Sequence, residues 1–157
     1  MTTYHAIVRW ARGTDAFVGY KYSRLHQWVF DEGVVVPASA SPHVVRAPYS
    51  VAAAVDPEEA FVASLSSCHM LFFLSYAAKA GLIVDSYEDP ATGELEKNAV
   101  GKEVMARVVL RPRVVFNGSA PSGEEFAALH HRAHEDCYIS NSVKSEVALE
   151  PTFTLTD

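Results

Sequence analysis

The sequence predicts an α+β fold in which antiparallel sheets wrap around one long central helix, with a second helix beside it. Three observations support this. Residues 56–81 form an apolar run with helix signals at both ends, and stretches rich in β-branched and aromatic residues lie on both sides of that run. A capping-box pattern at residues 122–125 marks a second helix. The resulting order of strands, helix, strands, helix and strand is typical of α+β proteins.

Length and composition favour one folded domain. The chain has 157 residues, of which 49% are apolar and 20% charged, a balance that supports a packed core. We expect a single domain over 1–157, with an N-terminal sheet in 1–55, the central helix in 56–81, and a C-terminal sheet and helix in 82–157. The net charge of −6 argues against a nucleic-acid partner.

The amino-terminal segment and the long apolar run predict a cytoplasmic protein without a membrane partner. The first ten residues, MTTYHAIVRW, lack the apolar run of a signal peptide. The run in 56–81 starts with two glutamates and is broken by Ser75 and Lys79, so a core helix explains it better than a membrane span. In the cytoplasm, cysteines are more often reactive or metal-binding than permanently paired.

The N-terminal part is predicted to be an antiparallel sheet. Alternating or aromatic-rich stretches predict its strands, the sequence DEG predicts the turn of a hairpin, and two prolines with many small residues predict an irregular segment before the helix. The strands fall at 4–10, 17–22, 26–30 and 34–37, the turn at 31–33, and the irregular segment at 38–54.

The central helix has recognisable ends. Asp56 is a favourable N-cap, Pro57 fits the first helical position, and Glu58 suits the positive end of the helix dipole. Gly81 suits the C-terminal stop. Because almost every face between these ends is apolar, we expect the helix to be buried on all sides.

The C-terminal part alternates turns, strands and one helix. We expect the second helix to begin after Ser122, where Glu125 completes the capping box, and to run over about 123–136. Strands are expected at 82–87, near Leu95, at 104–110 with an extension at 114–116 past Pro112, and at 143–155, with a turn at 89–93.

Cys68 and Cys137 are the first candidates for chemistry. They can form a thiol pair that cycles between dithiol and disulfide, or they can be two small buried side chains, since free cysteine is often buried. Cys68 lies about three turns into the helix, beyond the reach of the dipole. A reactive thiolate there needs another stabilising group, most plausibly an arginine.

A second candidate is a metal site. His130, His134 and Cys137 are spaced by four and three residues, which places them on one face of a helix. The fourth ligand is undetermined, with His131, His26 or His69 as candidates.

A third group of charged residues is most often plain surface charge: Arg24, Arg46 and Glu58.

Two stretches resemble a known family. The sequences DPEEAFVASLSSCHM and AHEDCYISNSV are similar to the two cysteine motifs of the OsmC/Ohr superfamily, the osmotically inducible and organic-hydroperoxide-resistance proteins. YSRLHQW and FDEG resemble an OsmC-like subgroup. Asp56 stands where the family usually has asparagine, and Tyr138 where many members have proline. The resemblance covers nearly the whole chain and implies an intertwined homodimer.

The resemblance also implies an activity, a thiol-dependent peroxidase acting on organic hydroperoxides. Cys68 would be the peroxidatic cysteine and Cys137 the resolving one, joined in a disulfide after turnover. Arg24, with Arg46 as second choice, would hold the thiolate together with Glu58. An external thiol, such as a dihydrolipoyl group or another dithiol, would reduce the disulfide, and no cofactor or metal is implied.

Further expectations concern the pocket and the assembly. Phe72, Phe73 and Trp28 are expected to line a pocket that favours organic peroxides. Ten residues separate Glu58 from Cys68, about 15 Å along a straight helix, so a partner chain can supply one of the groups.

The alternatives to the peroxidase are a non-catalytic stress or binding protein with Cys68 as a packing residue, and the metal site at His130, His134 and Cys137.

Overall fold

The computed structural model describes residues 1–156 and divides the chain into two compact units. The first spans Met1–Ala60 and the second begins at Phe61. This division lies within a few residues of the predicted end of the N-terminal part at position 55. The expectation of one domain over the whole chain stays a prediction.

The N-terminal unit contains a three-stranded antiparallel sheet of β1 (Ala6–Arg9), β2 (His26–Phe30) and β3 (Val35–Ala38). The predicted hairpin between β2 and β3 is confirmed. Its turn is the single 3₁₀ turn Asp31–Gly33, in which Glu32 has a φ of 56° and the following glycine 81°. Glycine adopts this left-handed conformation without the steric cost that a side chain adds.

The strand predicted at 17–22 is wrong, because this segment forms a 3₁₀ turn at Val18–Tyr20. Phe17 and Tyr20 have positive φ angles of 57° and 64°, which an extended strand excludes. The aromatic side chains pack on one another instead of alternating across a sheet: the Phe17 and Tyr22 rings stack at 4.7 Å, and Trp10 meets Tyr22 edge-on at 5.6 Å. The irregular segment at 38–54 is confirmed, apart from an isolated bridge between Ala38 and Val55.

The central helix α1 (Pro57–Lys79) has the expected end signals. The Asp56 carboxylate accepts the N–H of Glu59 at 2.8 Å, and the Glu59 carboxylate accepts the N–H of Asp56 at 3.2 Å, forming a capping box. Beyond the helix, Gly81 has a φ of 77°, and the N–H groups of Gly81 and Leu82 bond back to carbonyls of the last turn. This is a Schellman ending, which requires a residue that tolerates positive φ.

The expectation that α1 is buried on all sides is wrong for the single chain. Its buried residues are Leu65, His69, Phe73 and Ala77, spaced by four positions along one stripe. Leu71, on another face, is 62% exposed. Within residues 1–156, α1 is the one helix long and apolar enough to cross a membrane, a test that core helices of soluble proteins also pass.

The second unit holds two three-stranded sheets, of order β4-β7-β9 and β5-β6-β8. Both are mixed, since β7 runs parallel to β9 and β6 parallel to β8, so the expectation of purely antiparallel sheets needs correction. The strands in chain order are β4 (Ile83–Glu88), β5 (Thr92–Lys97), β6 (Glu103–Leu110), β7 (Arg113–Asn117), β8 (Glu146–Leu149) and β9 (Thr152–Thr156).

Prolines explain why two predicted strands are each divided in two. Pro112 lies between β6 and β7, and the chain changes sheet there, so 114–116 does not extend the strand at 104–110. Pro151 likewise separates β8 from β9 within the predicted strand at 143–155. A proline has no N–H to donate to a ladder, which favours a break at both points. The two breaks lie side by side, because Thr152 donates its N–H to the Pro112 carbonyl at 2.7 Å.

The second helix, α2 (Gly123–Asp136), has the predicted bounds, and its capping box between Ser122 and Glu125 is present. Two apolar clusters flank the middle of α1. In one, Phe73 packs with residues of β7 and α2, and in the other Leu65 packs with residues of β6. Cys68 lies between Leu65 and Phe73 along the helix, where the two clusters adjoin.

Candidate active site

The two cysteines lie side by side. Cys68 is half-buried in the middle of α1, and Cys137 follows directly on α2 with only 1% of its surface exposed. The Cys68 thiol lies close enough to Cys137 to raise the pKa of that thiol, and both thiols are free. The structure therefore holds a reduced dithiol in which one sulfur is partly accessible and the other is enclosed.

Contacts between α1 and the end of α2 position the two thiols. Next to Cys68, the His69 Nε2 atom lies 2.9 Å from Nδ1 of His130. Next to Cys137, the Tyr138 ring meets the Phe72 ring edge-on, with centroids 5.1 Å apart. These two contacts join α1, which carries Cys68, to α2 and the segment that carries Cys137.

The surroundings of Cys137 keep it protonated at neutral pH. Burial raises the pKa of the Cys137 thiol, and the neighbouring Cys68 thiol raises it further. The backbone N–H groups of Ser140, 3.4 Å from the sulfur, and of Ile139 act in the opposite direction. Because only the thiolate is nucleophilic, the half-buried Cys68 is the better placed of the two to attack a substrate from solution.

His69, the neighbour of Cys68 in sequence, and His130 of α2 form a buried pair. Burial lowers the pKa of His69 to about 4 and that of His130 to about 3. Their rings stack at 5.2 Å, and the His130 ring also stacks on Phe73 at 4.2 Å. Both are therefore neutral at physiological pH, as packing and hydrogen-bonding groups of the core.

The alternative of a metal site is wrong for the described chain. Across residues 1–156 no three His, Cys, Asp or Glu side chains are grouped so that they can hold a metal ion. His130 is hydrogen-bonded to His69, whereas His134 Nδ1 lies 3.2 Å from the Ser140 hydroxyl. Cys137 has an extended backbone (φ −64°, ψ 113°). It therefore does not continue the helical spacing on which the predicted alignment of the three ligands depends.

The predicted charged site residues lie in the N-terminal unit. The Arg24 Nη1 group donates to the Tyr20 carbonyl at 2.8 Å and to the Tyr22 carbonyl at 2.6 Å, and its guanidinium lies 3.8 Å above the Tyr22 ring. Arg46 is exposed, and Glu58 is half-buried in the first turn of α1. Their roles at Cys68 stay predictions.

The predicted pocket needs correction at one position. Phe73 is fully buried and belongs to the core, so it does not line an accessible pocket. Phe72 is half-buried against Tyr138. Trp28 is half-buried in the N-terminal sheet, where its Nε1 donates to His26 Nε2 at 3.0 Å.

Sequence reasoning considered His69 only as a possible metal ligand, and it missed Ser140. His69 had a detectable signal, because it continues the four-residue spacing of Leu65 and Phe73 and is therefore expected on the buried stripe. Ser140 had none beyond its closeness to Cys137, since a serine in a loop usually bonds its own backbone or solvent.

The fold and the adjacent thiols define a two-cysteine α+β protein of mixed sheets. A family model described as OsmC-like protein matches residues 50–152, and the chain belongs to this family. The chain is 55% identical to an OsmC-like protein of unknown function from Vibrio cholerae, with a TM-score of 0.95 over 97% of this chain and 100% of that one. The predicted family and α+β fold class are thereby confirmed. No curated protein matches the sequence.

More distant solved structures share the fold. An organic hydroperoxide resistance protein from Elizabethkingia anophelis is 16% identical, with a TM-score of 0.71 over 99% of this chain and 98% of that one. The organic hydroperoxide resistance protein OhrB of Bacillus subtilis is 19% identical, with a TM-score of 0.62 over 98% of each chain. Proteins of the OsmC-like family are generally soluble, so the chain has the fold of a soluble protein.

Proposed function

We propose that this protein is a thiol-dependent peroxidase that reduces organic hydroperoxides to alcohols through Cys68 and Cys137. The observation that supports it is the contact between a half-buried thiol on α1 and an enclosed thiol after α2. Such a pair can lose two electrons and two protons to a peroxide and close to a disulfide. Membership in a family that includes organic hydroperoxide resistance proteins agrees with this chemistry.

The reaction has two steps. The Cys68 thiolate attacks the terminal peroxide oxygen, the O–O bond breaks, and the alkoxide leaves as the alcohol after taking a proton, so that Cys68 becomes a sulfenic acid. Cys137 then attacks the Cys68 sulfur, hydroxide leaves as water with the proton of the Cys137 thiol, and a disulfide forms. An external dithiol, such as a dihydrolipoyl group, returns both sulfurs to thiols.

Arg24 and Glu58 are the proposed thiolate-holding pair, with Arg46 as the second choice for the arginine. A guanidinium favours the thiolate by charge and hydrogen bonds, and a carboxylate orients the guanidinium. The Nη1 contacts of Arg24 to two carbonyls and its stacking on Tyr22 restrict its side chain, which suits a positioning role. The test is the pH dependence of Cys68 alkylation in Arg24→Lys and Arg46→Lys proteins.

The proposed assembly is a cytoplasmic homodimer. Only one stripe of the 23-residue α1 is buried within the chain, and Leu71 is 62% exposed on a helix that is apolar on most faces. A second copy can cover this surface and bring Glu58 or Arg24 of one chain to Cys68 of the other. Sedimentation at micromolar concentration tests the assembly, and a stable monomer contradicts it.

The central experiment is a thiol count with mass spectrometry before and after one equivalent of cumene hydroperoxide. We expect both thiols to disappear and a Cys68–Cys137 disulfide to form. In Cys137→Ser the Cys68 sulfenic acid should be trapped by dimedone, whereas Cys68→Ser should not consume the peroxide. Two intact thiols in the native protein contradict the peroxidase and favour a non-catalytic binding protein.

Hydrogen peroxide serves as the comparison substrate. If the site prefers organic hydroperoxides, the rate constant for cumene hydroperoxide exceeds that for hydrogen peroxide in the same assay. Equal or inverted rate constants contradict this preference, although they leave the two-cysteine chemistry itself in place.

A further inference from the structure

A group of polar side chains ties the segment after α2 around the second cysteine. The side chain of Ser140 contacts His134, that of Asn141 donates to the carbonyls of Glu135 and Cys137, and that of Ser142 donates to the carbonyl of Tyr138. Each of the three consecutive polar residues therefore bonds back to the chain on either side of Cys137. One of the three residues, Ser140, also contacts the Cys137 sulfur.

Ser140 links His134 to the Cys137 sulfur. Its hydroxyl lies 3.2 Å from Nδ1 of His134, in the last turn of α2, and its backbone N–H points at the Cys137 sulfur from 3.4 Å. The backbone N–H of Ile139 acts in the same direction, because it lowers the pKa of the Cys137 thiol. Backbone donors fixed in this way stabilise an anion without reorganisation, as the donors of an oxyanion hole do.

We propose that His134 is a positioning residue for the resolving step: by holding the Ser140 hydroxyl, it keeps the Ser140 N–H aimed at the Cys137 sulfur as that sulfur becomes the attacking thiolate. The inference rests on the proposed function, because it assigns His134 to the second step of that reaction. The His134 ring bonds the Ser140 hydroxyl, so it acts on the sulfur through Ser140.

The chemistry of the step explains why such positioning matters. The enclosed Cys137 must lose its proton before it attacks the Cys68 sulfur, and burial opposes the resulting negative charge. The attack forms the S–S bond and breaks the bond from the Cys68 sulfur to its leaving group, so charge moves from Cys137 to that group. The Ser140 N–H is the fixed donor that favours the negative charge on the Cys137 sulfur before the attack.

The test measures closure of the disulfide without a peroxide. The reagent DTNB converts Cys68 to a mixed disulfide and releases one equivalent of nitrothiobenzoate. The Cys137 thiolate then attacks the Cys68 sulfur and releases the second equivalent, so the two absorbance phases report the two cysteines separately. Because no peroxide is used, a protein that lacks peroxidase activity still tests the proposal.

The variants separate positioning from general damage. We expect His134→Ala and Ser140→Ala to slow the second phase by up to about tenfold and to leave the first phase unchanged, because the Ser140 N–H loses its fixed aim and one hydrogen bond to a charged group contributes about that much. Asparagine can place its amide near the position of the histidine Nδ1, so His134→Asn should restore most of the rate. Ser142→Ala is the matched control, since it removes a hydrogen bond from the same segment without a link to the sulfur.

Three results overturn the proposal. They are an unchanged second phase in His134→Ala with native circular dichroism, an equal loss in Ser142→Ala, and a His134→Asn protein as slow as His134→Ala. Failure of the proposed peroxidase is distinguished by the native protein, which would then close its disulfide with DTNB at the normal rate but leave cumene hydroperoxide unconsumed.

Discussion

The Nε2 atom of His69 lies 2.9 Å from the Nδ1 atom of His130, and the two rings stack within 7° of parallel. Both side chains are about 1% exposed, and the second nitrogen of each ring has no hydrogen-bond partner within residues 1–156. A proton added to either ring would place a positive charge in the core, at a nitrogen with no hydrogen-bond partner to offset the cost of burying it. The pair is therefore stable in its neutral form.

This pair predicts a loss of stability in mild acid. Burial lowers both pKa values, to about 4 for His69 and about 3 for His130, below the value of 6.5 expected when the chain is unfolded. The unfolded chain thus binds protons that the folded chain does not, and stability, complete above about pH 6.5, falls as the pH drops toward 4. The expected slope is about 1.4 kcal/mol per pH unit for each histidine.

Urea unfolding at pH 7.5 and pH 5.0 checks this pH dependence. His130→Phe should lose less stability between the two values than the native protein, because one of the two titrating groups is gone. The exposed His131, which is paired with Glu135 at 3.4 Å on the surface, provides the control. His131→Ala should keep the native pH dependence, and equal losses in all three proteins would contradict the assignment.

Phe73 is the second point at which stability can be tested. It is fully buried and stacks on His130 at 4.2 Å, within the cluster that joins α1 to α2. Phe73→Ala is expected to lower the free energy of unfolding by about 3–5 kcal/mol, through lost apolar burial and the cavity left behind. Ser75, exposed on the same helix, is the control, and Ser75→Ala should change stability by less than about 0.5 kcal/mol.

Gly93 in β5 is required for close packing. A Cβ atom added there would lie 2.6 Å from both the Met105 sulfur and a methyl group of Val62. Gly93→Ala is therefore expected to cost about 1–3 kcal/mol by overpacking, since the branched side chain of Val62 has few ways to move aside. Gly123, with open space around it, is the matched control, and Gly123→Ala should not destabilise the protein.

A double variant distinguishes steric overpacking from other effects at Gly93. Shortening the clashing side chain in Val62→Ala should make the Gly93→Ala change less costly than it is in the native background. Strict additivity of the two free-energy changes would indicate that the methyl contact is not the cause.

The capping box of α2 should matter because this helix carries His130 and leads into Cys137. The Ser122 hydroxyl accepts the N–H of Glu125 at 3.2 Å, and the Glu125 carboxylate accepts the N–H of Ser122 at 2.8 Å. Ser122→Ala is expected to lower the free energy of unfolding by about 1 kcal/mol. The nearby exposed Ser119 serves as control, and an equal loss in Ser119→Ala would argue against the cap.

Much of the fold could be predicted from the sequence, because its strongest signals act between neighbouring residues. Asp56, Gly81 and Ser122 each specify a helix end through bonds to neighbouring residues, and both helices have the expected bounds within a few positions. The partner of a strand is set by distant residues instead. For that reason neither the parallel pairing of β6 with β8 nor the sheet change at Pro112 could be derived from the local pattern.

The same contrast between local signals and long-range contacts applies to the site. The importance of Cys68 and Cys137 came from their types and motifs, but their contact depends on how α1 packs against α2. The metal alternative failed because helical spacing assumed that the helix continues to Cys137, whereas it ends at Asp136. His69 was separable from a surface histidine only by its place on the buried stripe, and Ser140 only by its measured contacts.

The side-by-side crossings at Pro112 and Pro151 make the second unit hard to divide. A cut at Arg111 would leave β4, β5 and β6 on one fragment and β7, β8 and β9 on the other, so both sheets would have to be completed across the cut. Neither fragment could then complete either of these two sheets alone. Reassembly of two such fragments would therefore report, in a single signal, whether both sheets and the cysteine pair between the helices have formed together.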